Sequence, residues 1–181
     1  MDIDQLYQKL QDGKIDLAIG GIPISYSLQI KFIFSLPYML SKGQFLVLKK
    51  NQMNSINQLQ GLTVGILHNP LNGGVFYKYL LDHYKGQFTI KLYNDIEDVL
   101  ADLNNQILAA AFLNRSSVNY WIQQSGEEFK SLGPVSIIGD GIAIMAIPKN
   151  KQLIERINKF IQAIEKDNTY MKLYDVYFAN E

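Results

Sequence analysis

Gly20 and Gly21, His68, the run Asn72-Gly73-Gly74 and Asp140 are the positions at which this chain can offer chemistry to a small molecule, and what they offer is contact rather than conversion. The glycine pair follows the apolar run Ile15 to Ile19, a short strand by its pattern. Ligands of open α/β sheets gather at the carboxyl ends of strands, and residues without side chains let backbone N–H groups come close to them. Asn72-Gly73-Gly74 precede a helical pattern; there they leave backbone donors suited to an anion, or serve only as a loop into the helix. His68 stands beside that loop, as a lining or a packing residue, and Asp140 between two glycines reads as a turn residue or as an acid facing a ligand. No catalytic set emerges. His68 and His83 have no evident paired acid, no glycine pattern of a phosphate loop occurs, and no histidine pair has metal-ligand spacing. Without cysteine there is no thiol chemistry, disulfide or cysteine zinc site. The reading is a binding protein without a cofactor.

The elements that must position these residues follow from periodicity. A helix is predicted at 3–12, a strand at 15–19, an irregular stretch after it and a strand at 44–48. Lys49-Lys50-Asn51-Gln52 is a polar break, and Ser55 suits the N-cap of a short turn before Gly61. From Thr63, strands at 63–67, 88–93 and 107–113 alternate with helices at 74–85, 95–104 and 115–124, which predicts a parallel α/β sheet. Asp95 suits the cap of the second of these helices. Two strands, 136–138 and 142–147, and two closing helices complete the chain; Leu153, Ile157, Phe160, Ile161 and Ile164 form the stripe of the first, and Asp167 or Asn168 starts the second. The segments divide into 1–49, 50–147 and 148–181. Tyr77, Tyr79, Tyr84 and Trp121 are expected to pack on the sheet.

With 181 residues, 48% of them apolar, the chain can bury one good core or two small ones. Its formal net charge of zero gives no long-range field for a polyanion, so nucleic acid is not an expected partner. No apolar run approaches the roughly 18 residues of a membrane span. Met1-Asp2-Ile3-Asp4 has neither the basic start nor the apolar centre of a secretory signal.

Gly13, Lys14, Asp16 and the apolar run behind them, then Phe34-Ser35-Leu36-Pro37-Tyr38, stand in an order that resembles the solute-binding proteins of amino-acid ABC transporters. Ile56-Asn57-Gln58-Leu59-Gln60-Gly61-Leu62-Thr63-Val64-Gly65 is similar to that family's S-x-x-D-L-x-G-x-x-V-G, and Asn168 to Phe178 looks like its closing helix. The resemblance implies a two-lobed α/β fold of the type II periplasmic-binding kind, with 1–49 a partial lobe one, 50–147 lobe two with hinge strands, and 148–181 returning to lobe one. It implies capture of a small polar solute as the lobes close, delivery to the membrane subunits of an ABC transporter, and a periplasmic location. A sensor domain of a membrane signalling protein, a periplasmic dehydratase or lytic enzyme on the same fold, and a relic that binds nothing remain alternatives. Members carry a strand, a helix and a second strand ahead of the position of Ile3. Lobe one is therefore expected to be incomplete, without a signal peptide, and its apolar edges to be covered by a second copy in a homodimer.

The resemblance also implies site residues. Its T-x-x-R element grips an α-carboxylate; Ser25 takes the hydroxyl position, but Leu28 stands where arginine is expected, with Lys31 nearby. Ile22 and Tyr26 belong to the same ligand-lining stretch. Where the family has G-T-T at a helix start, this chain has Asn69-Pro70-Leu71, followed by Asn72 and Gly73. Asn114 falls where an acid receives the α-amino group, and the adjacent Arg115 either inverts the local preference or is a solvated helix-start residue. Ordinary α-amino acids are accordingly expected to bind weakly.

Overall fold

The computed structural model describes residues 3–68 and 74–178. The chain forms two compact units, Met1–Ser41 with Gly139–Glu181, and Lys42–Ile138. The first unit opens with helix α1 (Ile3–Gln11), which buries Tyr7 and Leu10. It ends as its sequence predicts: Gly13 adopts φ +67° and donates to the Leu10 carbonyl at 3.0 Å, while Lys14 N–H reaches back to Lys9. The strand expected at 15–19 contracts to one antiparallel bridge, Ala18 with Met145. Asp16 is occupied elsewhere, its carbonyl and carboxylate accepting from the Asn150 amide, and Ile19 is exposed. A single turn, α2 (Tyr26–Gln29), then leads to β1 (Ile33–Phe34).

The second unit begins with β2 (Lys42–Leu48), followed by β3 (Thr63–Leu67), α3 (Val75–His83), β4 (Thr89–Tyr93), α4 (Ile96–Asn104), β5 (Ala110–Asn114), α5 (Arg115–Gln124) and β6 (Phe129–Ile137). The sheet runs β4-β3-β5-β2-β6. β3 is parallel to β4 and β5, as the alternation of strands and helices predicts, whereas β2 is antiparallel to both β5 and β6. The expected all-parallel sheet is therefore mixed. β2 enters ahead of the βαβ units and is free of their crossover geometry, and β6 returns from α5 to pair with it. The residues of β2 explain why it lies centrally: Phe45 and Val47 enter one core with Val64, Ile66, Leu80 and Phe112, and Leu46 and Leu48 enter another with Val99, Leu103 and Val118. A strand apolar on both faces needs cover on both faces. That is why the unit starts at Lys42, not at the polar break after Lys49.

Helix caps follow the sequence in part. Ser55 and Gln58 form a capping box on the short 3-10 turn Ile56–Leu59, but Asp95 makes no side-chain bond to α4. After Gly139 the chain returns to the first unit through β7 (Met145–Ala146), antiparallel to β1, and ends in α6 (Lys151–Lys166) and α7 (Thr169–Phe178). Asp167 caps α7, accepting from Thr169 N–H at 2.9 Å. The core of this unit is Tyr7, Leu10, Ala18, Ile22, Leu28, Phe32 and Met145.

Candidate functional site

In the first unit the glycine pair lies open. Gly20 (φ +148°) and Gly21 (φ +71°) are exposed, and no heavy atom lies within 4 Å of a Cβ built at either. Ile22, beside them, is a core residue: its side chain is 1% exposed and its carbonyl accepts from Ala143 N–H at 3.0 Å. Ser25 caps α2, its Oγ accepting from Leu28 N–H at 3.4 Å. Tyr26 is 83% exposed, and Leu28 is 4% exposed inside the core. The position at which the resemblance calls for a ligand-gripping arginine thus faces the interior. Ser35 of the F-S-x-P-Y element is buried and structural, accepting from Ile144 N–H and donating to the Leu36 carbonyl. Asp140 is exposed in a turn whose neighbours take φ +62° and +99°, and glycine is required at 141, where a Cβ would stand 2.9 Å from the Met39 carbonyl oxygen.

A larger concavity in this unit was not anticipated as a site. It is an apolar groove of about 810 Å³ between α6, α7 and the bridge region, lined by Ile19, Tyr38, Leu153, Ile157, Phe160 and Tyr177 among others. None of the residues predicted to touch ligand lines it.

In the second unit the carboxyl ends of the parallel strands β3 and β5 share one edge of the sheet. His68 follows β3 there, exposed, with its N–H on the Tyr93 carbonyl at 2.6 Å. Asn69, Asn72 and Gly73 lie outside the described residues. Asn114 ends β5 and caps α5: its Oδ1 accepts from Ser116 N–H at 3.2 Å and from Ser116 Oγ at 2.8 Å. That amide is engaged with its own helix. Arg115 turns back over the sheet, and its Nη1 donates to Gln44 Oε1 on the neighbouring strand. Gln44, 5% exposed, donates in turn through Nε2 to the Gly133 carbonyl at 2.7 Å. The sequence reading missed Gln44. A single amide inside an otherwise apolar strand was the available signal, since a buried amide needs partners. Beyond this edge, Asp102 accepts from Lys91 at 2.7 Å and from the Tyr93 hydroxyl at 2.5 Å, and these bonds hold its carboxyl below the usual range. That trio ties α4 to β4.

A mixed α/β sheet with His68, Asn114 and Arg115 at the ends of β3 and β5 is a frame suited to holding a small solute. The family model for bacterial extracellular solute-binding proteins, family 3, matches residues 1–180, and the chain belongs to that family. It is similar to the ABC transporter arginine-binding protein 1 of Escherichia coli (strain K12), 28% identical over 97% of this chain and 71% of that one. The arginine-binding periplasmic protein of Mannheimia haemolytica is 24% identical over 98% and 72%. Among solved structures, an arginine 3rd transport system periplasmic binding protein from Legionella pneumophila superposes with a TM-score of 0.83 at 30% identity, over 97% of this chain and 78% of that one. The fold is that of the type II periplasmic binding proteins.

Proposed function

We propose that this chain captures a small polar solute in the periplasm and delivers it to the membrane subunits of an ABC transporter, without converting it. The observation that carries the reading is the family match over residues 1–180, supported by relatives whose names give arginine binding, one within an ABC transporter and one in the periplasm. The sensor and enzyme alternatives have no comparable support. Gly20, Gly21, Ser25 and Tyr26 in the first unit and the edge around Asn114 in the second are the surfaces assigned to solute contact; Asp140 serves as a turn.

The solute is amino-acid-like in size, but ordinary α-amino acids are held weakly. Leu28 contributes a core methyl group where a carboxylate would need a guanidinium, and Asn114 contributes a neutral amide already bonded to Ser116. Calorimetry against the standard amino acids tests this. Submicromolar affinity for arginine or another common amino acid would overturn the weak-binding assignment, and a failure to bind any polar solute would overturn the capture reading.

A further inference from the structure

We propose that Arg115 recognises an anionic group and that the solute of this chain is an acidic one, such as a dicarboxylate without an α-ammonium group. This inference rests on the capture reading above and names the chemical class that the second unit selects.

Position is the first argument. Arg115 is the first residue of α5 and directly follows β5, on the sheet edge where strands β3 and β5 present their carboxyl ends. That edge is where open α/β sheets meet their ligands.

Posture is the second. A surface arginine ordinarily spends its rotamer entropy in water, whereas this one is drawn across the sheet. Gln44 fixes it. The Gly133 carbonyl on one side of β2 takes the Gln44 amide donor, which turns Oε1 toward the other side and Arg115 Nη1. Three adjacent strand segments therefore cooperate to hold one guanidinium, whose outer Nη end is left to donate to an anion.

Charge is the third. The ion pairs among the described residues join Lys14 to Asp12, Lys49 to Glu127, Lys78 to Asp82, Lys91 to Asp102 and Lys151 to Glu155; none includes Arg115. Its side-chain partner is a neutral amide, and its Nε is buried without any hydrogen-bond partner. Among the described residues this half-buried cation thus has a neutral amide as its side-chain partner, and an anion at its outer Nη end adds compensation where a cation would add repulsion. Asn114 deepens the bias, because an acid at this place would neutralise Arg115 and receive an ammonium, and an amide committed to Ser116 does neither.

The test is calorimetry of the full chain against L-glutamate, L-glutamine, succinate and L-arginine, with wild type, Arg115→Gln, Arg115→Lys and Gln44→Met. Wild type is expected to bind succinate best and to prefer glutamate over its neutral isostere glutamine by about 10-fold or more, as charge-assisted bonds to one carboxylate require. Arg115→Gln is expected to lose about 10- to 100-fold for glutamate or succinate while still unfolding cooperatively, its thermal midpoint falling only by what Gln44 Oε1 loses with its donor. Arg115→Lys should recover part of that loss, restoring charge without the fork, and Gln44→Met should show a smaller loss than Arg115→Gln. Equal binding of glutamate and glutamine by wild type overturns the proposal even if the variants do not fold. Equal binding of glutamate by wild type and a folded Arg115→Gln also overturns it. Preference for arginine sinks the acidic-solute assignment and leaves the capture reading standing. A folded wild-type chain that binds none of the four overturns the proposal, and extending the screen to other polar solutes decides the capture reading separately.

Discussion

Leu28→Arg puts back the residue that the family pattern expects, and on sequence grounds it should strengthen carboxylate binding. The structure reverses that expectation. Leu28 is 4% exposed and packs with Tyr7, Leu10, Ile22 and Phe32, so the new side chain has two options, each costly. If the arginine swings out to water, as long cationic side chains do, it leaves a cavity like that of Leu28→Ala, worth about 2–5 kcal/mol. If it stays, the cavity is filled but a cation lies among apolar groups, which costs about as much again. The loss is therefore at least about 2 kcal/mol. α2 is one turn long, with Leu28 N–H donating to the Ser25 Oγ at 3.4 Å and Phe32 N–H to the Leu28 carbonyl at 2.9 Å, so displacing Leu28 disturbs these bonds as well. A unit of this size shifts its thermal midpoint by about 4–8 °C per kcal/mol, so the transition of the first unit should fall by roughly 10 °C or more. Hydrogen exchange read by mass spectrometry localises the effect: the amides of Ala18 and Met145, bonded to each other's carbonyls at 2.8 and 2.9 Å, should exchange faster, and those of β3 should not change. Leu28→Ala gives the matching lower bound. A Leu28→Arg protein with unchanged midpoint and a new affinity for carboxylates would show that Leu28 faces ligand and that the packing argument is wrong.

Gly43→Ala in β2 places a Cβ 2.6 Å from Cζ of Phe112, a ring wedged in the core, and should cost about 1–3 kcal/mol by urea denaturation; no loss would mean that the ring relocates without strain. Ser55→Ala removes the capping box and should cost about 0.5–2 kcal/mol in the same assay. The Asp102 carboxyl is held below its unfolded value by its bonds to Lys91 and Tyr93, so the stability it contributes is complete above the ordinary carboxylate range and declines as pH falls through the folded value; Asp102→Asn should flatten that part of the pH–stability curve. The apolar groove of the first unit should bind a second copy of the chain: the exposed parts of Ile19, Phe160, Leu173 and Tyr177 alone present roughly 500 Å², toward the roughly 800 Å² per partner of a stable interface. Sedimentation at micromolar concentration should show a dimer that Phe160→Glu dissociates, and a wild-type monomer would refute it.

What could be read from the sequence was whatever periodicity alone dictates. Strand Thr63–Leu67 and helix Arg115–Gln124 fall where their patterns put them, because a strand buried on both faces and a helix between strands each leave a strong local signature. β6 was read only at its end, as the strand 136–138; its earlier part escaped because it is an edge strand whose residues from Gly133 to Val135 are exposed, so its apolar residues are too sparse to show a period of two. The predicted strand 15–19 failed for the opposite reason: its residues are suitable, but beyond Ala18 there is no continued pairing, and pairing is not written in the segment itself. The candidate site divides in the same way. Gly13, with its positive φ, and the cap Ser55 were legible, since backbone geometry demands those residue types, whereas Ser25 and Asn114, read only as solute contacts, also cap α2 and α5. The burial of Ile22 and Leu28 was not legible, because which face of a four-residue helix turns inward is settled by Tyr7 and Phe32, elements away in the chain.

Gln44 shows why solute class is harder to read than fold in this family. Fold is carried by many residues that agree: two apolar clusters on either face of β2, capped turns and glycines at close approaches. Any one can change without loss of the pattern. Charge at the solute-facing edge is carried by very few, and here they act as a linked set across three strands. Asn114 stands where the resemblance leads one to expect an acid, Arg115 beside it carries a positive charge, and Gln44, bonded to the Gly133 carbonyl, accepts from that arginine. Position 114 is thus neutral and position 115 positive, side by side at one end of β5. On the proposal made above, a cationic solute such as the arginine named for the relatives would meet repulsion at this edge, while an anionic solute would meet a guanidinium already oriented. Arg115 and Gln44 are thus a single device, and Gln44→Met in a protein that retains Arg115 should weaken anion binding by loosening the fork without removing its charge.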